Sequence, residues 1–348
     1  FPLNSFLPAD SLGIVDLALQ ARGTGFDPLL PRTRTSLRAQ IDRAEFGGRD
    51  FGGIELDAEL DSQRLSGRIS DRDEALRLLL SVSGTLTERE QRIGLSGSVF
   101  GFDLAALGVS PEPIGGSFAL DASASAAGKG AYAARIALDS IEIRNKHRTD
   151  RIRPTSVSLH TDSAATRAEA ASGDLSLTFS MPQSADSLIA ALTRSARTLA
   201  GQIDAQSIDM EQLKPALPDF ALRVSAGPDN ILNSLLKSRK IAFDALNAEG
   251  ANCDSLPVSI RLRTEGLAYG NVVLDTVTAD IRQNGKRLEY ALGLANVPGN
   301  LDNIARAGLY GHLVRNTGQA NLYQRNRAGR EGFRFGLDVT CLLYTSPS

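Results

Sequence analysis

The feature that most constrains this chain is the alternation of apolar and polar residues with a period of two. Residues 54–60 read Ile-Glu-Leu-Asp-Ala-Glu-Leu. In a β-strand, successive side chains point to opposite faces, so this spacing gives one apolar face and one acidic face. The same spacing returns along the chain, at 65–69, 76–80, 95–99, 132–138, 157–159, 175–180, 260–263 and 288–294. The sequence therefore predicts a mainly β protein.

Turn residues separate the predicted strands and favour an antiparallel sheet. Asn284-Gly285 is the strongest hairpin signal, because both residues tolerate a positive φ. Helical segments seldom lie between the strands, which argues against a parallel doubly wound sheet. A loose repeat of an apolar residue, a small turn residue and a new strand occurs at 65–70, 95–100 and 114–119. Such repetition predicts a sheet that grows strand by strand.

One region has helical spacing instead. Apolar residues recur every three or four positions between 184 and 203, with Ser184 as an N-cap. A second short helix is predicted over 207–217, and Pro228-Asp229-Asn230 opens a third. The predicted organisation is a β-rich segment 1–180, a helical insertion 181–240 and a second β-rich segment 241–340.

The first predicted helix carries an apolar stripe formed by Leu188, Leu192, Leu199 and Ile203. Helices of this length draw most of their stability from tertiary burial. We therefore expect the stripe to pack on a sheet or to cover one end of a groove.

Charge and hydropathy exclude several classes of protein. Lys and Arg total 38 against 40 Asp and Glu, and both signs are scattered, so no basic field exists to bind nucleic acid. The longest uncharged stretch, 290–301, is shorter than the roughly 20 apolar residues of a spanning helix. Two cysteines, Cys253 and Cys341, form neither a disulfide framework nor a four-ligand zinc site.

Both ends of the chain differ from those of a typical complete protein. Residues 1–10, Phe-Pro-Leu-Asn-Ser-Phe-Leu-Pro-Ala-Asp, lack the basic and apolar regions of a signal peptide. At the other end, the alternation at 333–339 stops abruptly at Cys341. The octapeptide 341–348 is similar to a translated sequencing adapter. We expect it to be an artefact and leave it outside the fold argument, the alternative being a genuine polar tail.

The residues give little indication of catalysis. The three histidines, His147, His160 and His312, lie at no metal-ligand spacing from one another. The chain has no G-x-S-x-G elbow and no phosphate-binding loop. We predict no catalytic, cofactor-binding or metal-binding residue and a protein that is not an enzyme, with a hydrolase on a β scaffold as the least favoured alternative.

The predicted strand faces contain few aromatic residues. Trp is absent and aromatic residues total 5%. A closed sandwich would have to fill its core with aliphatic residues alone, whereas a sheet with a partly open apolar face could accept acyl chains, whose transfer from water is favourable by about 0.8 kcal/mol per CH₂. The alternation is the same in both cases and does not decide between them.

A family resemblance favours the open face. The motifs that carry it are Phe-Leu-Pro-Ala-Asp-Ser-Leu at 6–12, Ala-Arg-Gly-Thr-Gly at 21–25, the unit at 51–60 followed by 65–69, and Ala-Gly-Pro-Asp-Asn-Ile-Leu at 226–232. The chain resembles AsmA-like, TamB-type translocation and assembly module proteins of Bacteroidota. The motifs are turn-and-strand patterns rather than catalytic residues, and the resemblance covers about residues 1–340.

The resemblance implies a fold, a location and partners. The fold is an elongated antiparallel β-sheet curled into a hydrophobic groove, the AsmA/TamB-like β-taco, with a small inserted helical cluster. The location is the periplasm, with an N-terminal inner-membrane anchor and a C-terminal domain that this fragment lacks. Family members are associated with phospholipid passage to the outer membrane and with outer-membrane protein assembly, so the implied partners are phospholipid acyl chains and an outer-membrane assembly-type barrel protein.

We therefore predict a middle segment of a lipid-conducting bridge. Its rival from another class is a structural or adhesive β-repeat protein with a closed core. The residues expected to line the groove are Ile54, Leu56, Leu60, Leu65, Ile69, Leu78, Leu80, Leu95, Val99, Ile136, Leu138, Leu175, Leu177 and Phe179.

Overall fold

The protein is mainly β, with 66% of its residues in strands and 10% in helices. The structure is a computed structural model that describes residues 12–340 except 26, 47–48, 129, 147, 206, 208, 254–255 and 298–303. The predicted tail at 341–348, the motif residues 6–11 and His147 lie outside the described residues. The chain divides into two compact units, Phe1–Leu159 and His160–Ser348.

The N-terminal unit contains an antiparallel meander. Its strands are β1 (Leu12–Thr24), β2 (Arg34–Phe46), β3 (Arg49–Phe51), β4 (Ile54–Asp61), β5 (Arg64–Arg72), β6 (Leu76–Leu86), β7 (Glu90–Asp103), β8 (Gly115–Ala127), β9 (Ala131–Arg144), β10 (Thr149–Ile152) and β11 (Thr155–Thr161), whose last two residues belong to the second unit. β2 pairs with both β3 and β4, so β3 and β4 together form one interrupted strand beside β2. In the same way, β10 and β11 form one interrupted strand beside β9.

The C-terminal unit continues in the same style and adds three helices. Its elements are β12 (Thr166–Ser172), β13 (Leu175–Met181), α1 (Ala185–Asp204), α2 (Met210–Ala216), β14 (Phe220–Ala226), α3 (Ile231–Ser238), β15 (Ile241–Ala242), β16 (Ala245–Cys253), β17 (Leu256–Tyr269), β18 (Val272–Asn284), β19 (Arg287–Asn296), β20 (Arg306–Val314), β21 (Thr317–Arg325) and β22 (Glu331–Thr340). β13 pairs with β14 on the far side of the two helices, and β14 pairs with β16. The predicted mainly β, antiparallel fold is confirmed, and the three described helices lie between strands of this unit.

The sheets are open at their ends. Among the described strands, β1 pairs only with β2, and β22 pairs only with β21. The segment 181–240 holds all three described helices together with β14, which is a full member of the sheet. The helices therefore lie in the connections between neighbouring strands, and segment 181–240 is not purely helical.

The first helix uses a different face from the one that its apolar stripe predicts. Ser184 caps it as expected, accepting a hydrogen bond from the Ser187 N–H. Its buried residues are Ala191, Ser195 and Gln202, whereas Leu192, Leu199 and Ile203 are exposed. The side chains of Leu188 and Ile189 lie outside the described residues. The prediction that the stripe packs on a sheet is therefore wrong for Leu192, Leu199 and Ile203.

Hydrogen bonds explain this orientation of α1. The Ser195 hydroxyl lies 2.6 Å from the carbonyl oxygen of Ala216. The Gln202 amide donates to the Asp209 carbonyl oxygen at 3.0 Å and accepts from the Asp209 N–H at 3.1 Å. Small and polar side chains thus hold α1 against α2 and the segment that leads into it.

The second helix anchors the insertion to the sheet. Met210 and Leu213 of α2 form a buried cluster with Val258 of β17, and Leu217 and Leu288 pack against this cluster. Burying large apolar side chains contributes about 1.5–3 kcal/mol each. This cluster holds α2 against β17 and β19.

The third helix begins in a network of buried amides. Asn230 caps α3 by accepting from the Asn233 N–H at 2.9 Å, and its amide donates to Asp174 Oδ1 at 2.7 Å. Asn233 donates in turn to the Phe243 carbonyl oxygen at 2.8 Å. The motif at 226–232 therefore has a structural role, because buried polar groups are stable only when they are hydrogen-bonded.

Candidate functional site

The strand register of the N-terminal unit aligns apolar residues in rows that cross the sheet. Residues directly opposite each other in an antiparallel pair share a face. A row of cross-strand partners passes through Leu56, and its residues are apolar or glycine on every strand from β1 to β9 except the short β3. This central row consists of Leu19, Ala39, Leu56, Ile69, Leu80, Gly97, Leu120 and Leu138.

Neighbouring rows on the same face are also mainly apolar. One contains Ala21, Leu37, Ala58, Gly67, Val82, Leu95, Ala122 and Ile136. A second contains Leu60, Leu65, Gly84 and Ile93. A third contains Ile54, Asp71, Leu78 and Val99. All the predicted lining residues between 54 and 138 therefore lie on one face, which we call the N-terminal apolar face.

The opposite face of the same strands is polar. Its row beside the central one contains Gln20, Arg38, Asp57, Arg68, Ser81, Ser96 and Asp121. Arg38 Nε lies 2.6 Å from Asp57 Oδ1, and this ion pair raises the pKa of Arg38. A cavity of about 630 Å³ opens on this face between side chains of both charges, including Arg22 and Glu59. The mixed charges and exposed ion pairs are typical of a solvated surface.

The C-terminal unit repeats this two-faced arrangement over ten strands. One row contains Ala168, Phe179, Leu222, Gly250, Ile260, Ile281, Tyr290, Gly311, Ala320 and Leu337. The next contains Ala170, Leu177, Val224, Ala248, Leu262, Ala279, Leu292, Leu309, Leu322 and Phe335. The remaining predicted lining residues, Leu175, Leu177 and Phe179, lie on this C-terminal apolar face.

The two apolar faces are only partly buried. In the N-terminal unit, Leu80 and Val99 are 6% and 5% exposed, but Leu19 is 57% exposed. In the C-terminal unit, Leu292 and Phe335 are 43% and 58% exposed. An exposed apolar patch that continues across several strands is typical of a binding surface.

One carboxylate lies within the N-terminal apolar face. Asp71 is opposite Ile54 on one side and Leu78 on the other, and it is 5% exposed. Its Oδ1 accepts a hydrogen bond from the Asp73 N–H at 2.8 Å. Burial raises the pKa of Asp71, because the charged form is disfavoured among apolar neighbours.

The histidines do not assemble a recognisable reaction centre. His160 Nε2 lies 3.8 Å from Asp162 Oδ2 on an exposed strand end. His312 lies on the polar face of β20, between Glu289 and Gln319 of the adjacent strands. In the part of the chain that the structure describes, no three His, Cys, Asp or Glu side chains are grouped to hold a metal ion.

The sequence prediction omitted several residues of these faces. Leu19, Ala39 and Leu120 complete the central row but were not predicted to line it. The alternation in Asp-Leu-Ala-Leu-Gln-Ala at 16–21 is the signal that could have found Leu19. β1 and β2 thus extend the apolar face beyond its predicted start at Ile54.

Comparison of the chain with protein-family models, with curated proteins and with solved structures finds no match. The family expectation therefore rests on the motifs quoted above. Of the helices described, none combines the length and hydropathy needed to traverse a bilayer.

Proposed function

We propose that this chain binds phospholipid acyl chains on its apolar sheet faces and acts as a periplasmic segment of a lipid-conducting protein. The observation that carries the proposal is the set of mainly apolar rows, which run across the strands and include exposed side chains such as Leu292 and Phe335. Acyl chains gain about 0.8 kcal/mol per CH₂ on leaving water for such a surface. No covalent chemistry is required.

The resemblance extends the proposal to the whole protein. In this proposal, the sheet curls so that its apolar face becomes a hydrophobic groove, and the protein is anchored in the inner membrane through a segment outside this sequence. Phospholipid moves toward the outer membrane along the groove, and an outer-membrane assembly-type barrel protein is the partner. The polar faces, with ion pairs such as Arg38–Asp57, contact the aqueous periplasm.

A structural or adhesive β-repeat protein with a closed core is the second candidate. The buried centre of the N-terminal apolar face, at Leu80 and Val99, is the observation that favours it. A closed core excludes lipid, and an unpaired charge within it costs several kcal/mol. A groove instead admits water around an introduced charge.

The substitution Leu56→Asp separates the two candidates. In a groove, the variant stays folded and binds less phospholipid; in a closed core, it unfolds. Ser81→Asp, on the polar face of β6 opposite Arg68, is the matched control and should change neither property. Circular dichroism melting and native mass spectrometry of protein purified without detergent measure the two outcomes.

A photo-crosslinking probe locates the lipid. A benzophenone side chain at Leu60 should crosslink phospholipid from added vesicles, whereas the same probe at Glu59, one residue away on the polar face, should not. Equal crosslinking at both positions, or none at Leu60 in correctly folded protein, would rule out the groove on this strand.

A further inference from the structure

A small pocket opens on the C-terminal apolar face near the ends of β19 to β22. It has a volume of about 230 Å³, and its lining includes Tyr290, Leu313, Arg315, Ala320, Leu337 and Val339. This volume is below the 300–1,000 Å³ of pockets that enclose whole small ligands. The pocket therefore has room for one end of an apolar chain.

Small residues create this space in the sheet. Tyr290, Gly311, Ala320 and Leu337 are consecutive partners in one row. Leu313 and Val339 flank Gly318 in the next row. Tyr290 lies over Gly311, but Gly318 and Ala320 on β21 are small, so a depression remains between Tyr290 and Leu313 on one side and Leu337 and Val339 on the other.

Arg315, which lines the pocket, belongs to a group of two cations and one carboxylate. Lys286 Nζ lies 3.0 Å from Glu211 Oε1, and Arg315 Nη2 lies 3.9 Å from Glu211 Oε2. All three side chains are more than half exposed. The group carries a net charge of one positive unit, and Arg315 connects it to the pocket.

The backbone conformation of Arg315 belongs to the two-residue turn between β20 and β21. Arg315 has φ +50°, the left-handed conformation that glycine and asparagine adopt most readily. Two-residue hairpin turns require a positive φ at their first position. An arginine in this turn places a cation at the pocket at the expense of turn stability.

We propose that this pocket binds the proximal part of one acyl chain of an anionic phospholipid, with the phosphate held by Lys286 and Arg315. The inference rests on the proposed function and adds a headgroup preference to it. Charge-assisted bonds from ammonium and guanidinium groups to phosphate are roughly twice as strong as neutral ones. Glu211 competes with the phosphate for the same two cations.

The test compares three probes on the full chain by isothermal titration calorimetry. Lysophosphatidylglycerol presents a chain and a net negative headgroup, lysophosphatidylcholine a chain and a neutral headgroup, and inorganic phosphate the anion alone. We expect lysophosphatidylglycerol to bind about tenfold more tightly than lysophosphatidylcholine, and inorganic phosphate to show no saturable binding.

Four variants assign the preference to this pocket. Lys286→Gln with Arg315→Asn should remove the tenfold preference, and asparagine suits the positive φ, so the turn is kept. Glu211→Gln should strengthen lysophosphatidylglycerol binding, because it releases both cations. Ala320→Phe should fill the pocket and abolish the preference while leaving an apolar surface. Arg327→Gln, in the exposed turn at the other end of β21, is the control and should change nothing.

The outcomes are distinguishable from failure of the proposed function. If neither lipid binds the wild-type chain, both proposals fail. If both lipids bind equally, or if Arg327→Gln has the same effect as the paired substitution, only the pocket is ruled out. Binding of inorganic phosphate as tight as that of the anionic lipid would show an anion site without a lipid and would also overturn the inference.

Discussion

Aromatic rings lie over glycines at several cross-strand positions of these sheets. A Cβ built on Gly116 would come within 2.8 Å of the Phe102 ring, and one on Gly311 would come within 2.7 Å of the Tyr290 hydroxyl. Phe102 and Gly116 are direct partners, as are Tyr290 and Gly311. The few aromatic residues therefore shield backbone that glycine leaves uncovered, a known device of twisted sheets.

Gly116→Ala should destabilise the N-terminal unit. Besides the ring, the new methyl group would lie 2.2 Å from the backbone carbonyl oxygen of Glu142, which cannot move without disturbing the ladder. We expect a loss of about 1–3 kcal/mol, as for overpacked sites, in urea unfolding followed by circular dichroism. At Gly94 the nearest atom to a Cβ is the Ser83 hydroxyl at 3.3 Å, so Gly94→Ala is the control. Equal losses in the two variants would contradict this reading.

Asp71→Asn should stabilise the protein in a pH-dependent manner. The pKa of Asp71 is raised in the folded state, so the folded chain holds this proton more tightly than the unfolded chain. The resulting stabilisation is present below about pH 3.9 and is lost as the pH rises through the folded pKa. The asparagine variant avoids this loss and keeps an acceptor for the Asp73 N–H.

We expect Asp71→Asn to raise the free energy of unfolding by about 1 kcal/mol at pH 7 and to leave it unchanged near pH 3. Thermal melts at the two pH values measure this difference. Asp121→Asn, on the exposed polar face, is the control and should have little effect at either pH. A loss of stability in Asp71→Asn at both pH values would contradict this expectation. It would show that the contacts of the carboxylate stabilise the fold by more than its burial destabilises it.

At the scale of single elements, α1 presents an unusual division of faces. Its small and polar residues are buried, while Leu192, Leu199 and Ile203 are exposed. Leu192→Asp should therefore change stability by no more than about 0.5 kcal/mol, as at other surface sites. Ala191→Asp, one position away and 2% exposed, should increase hydrogen exchange across 185–216, because it buries a charge. Increased exchange in Leu192→Asp would instead show that the stripe is buried in solution.

The elements themselves were largely predictable. Alternation identified the strands around Leu56 and Ile260, and Asn230 correctly marked the start of α3. The hairpin at Asn284-Gly285 is confirmed, but its loop residues are Gly285 and Lys286, with Gly285 at φ +59°. A positive φ at the first loop position alone is the pattern of a type II′ turn, which favours glycine there and leaves the asparagine in the strand.

Other features lacked a local signal. The β4–β5 turn consists of Ser62 and Gln63, both with positive φ, and neither residue type predicts that conformation. The buried face of α1 depends on hydrogen bonds to Asp209 and Ala216, which are tertiary contacts. The pocket beside Tyr290 depends on the register of four strands. Periodicity predicts which side of a strand is apolar, but not which residues meet across strands.

At the scale of the whole molecule, most strands contact only their two neighbours in the meander. A sheet built in this way can open strand by strand from its edges, and regions of low contact open with small free energies. We expect amide hydrogen exchange in each unit to be slowest in the middle strands and fastest at the edge. In the C-terminal unit, amides of β22 should exchange at least tenfold faster than those of β17 and β18. Uniform protection across these strands would indicate cooperative unfolding of the unit.

The apolar rows also determine how such a protein can change its reach during evolution. The rows run perpendicular to the strands, so each strand lengthens a row by about 4.8 Å. Adding one strand to an antiparallel sheet would leave the next connection at the wrong end of the sheet. Adding a hairpin of two strands keeps the direction of the following strands and the side of the sheet on which their apolar residues lie. Duplication of a hairpin such as β4–β5 would therefore lengthen the face in steps of about 10 Å without redesign of its neighbours. Copying one short stretch of coding sequence would thus be enough to change the extent of the apolar face.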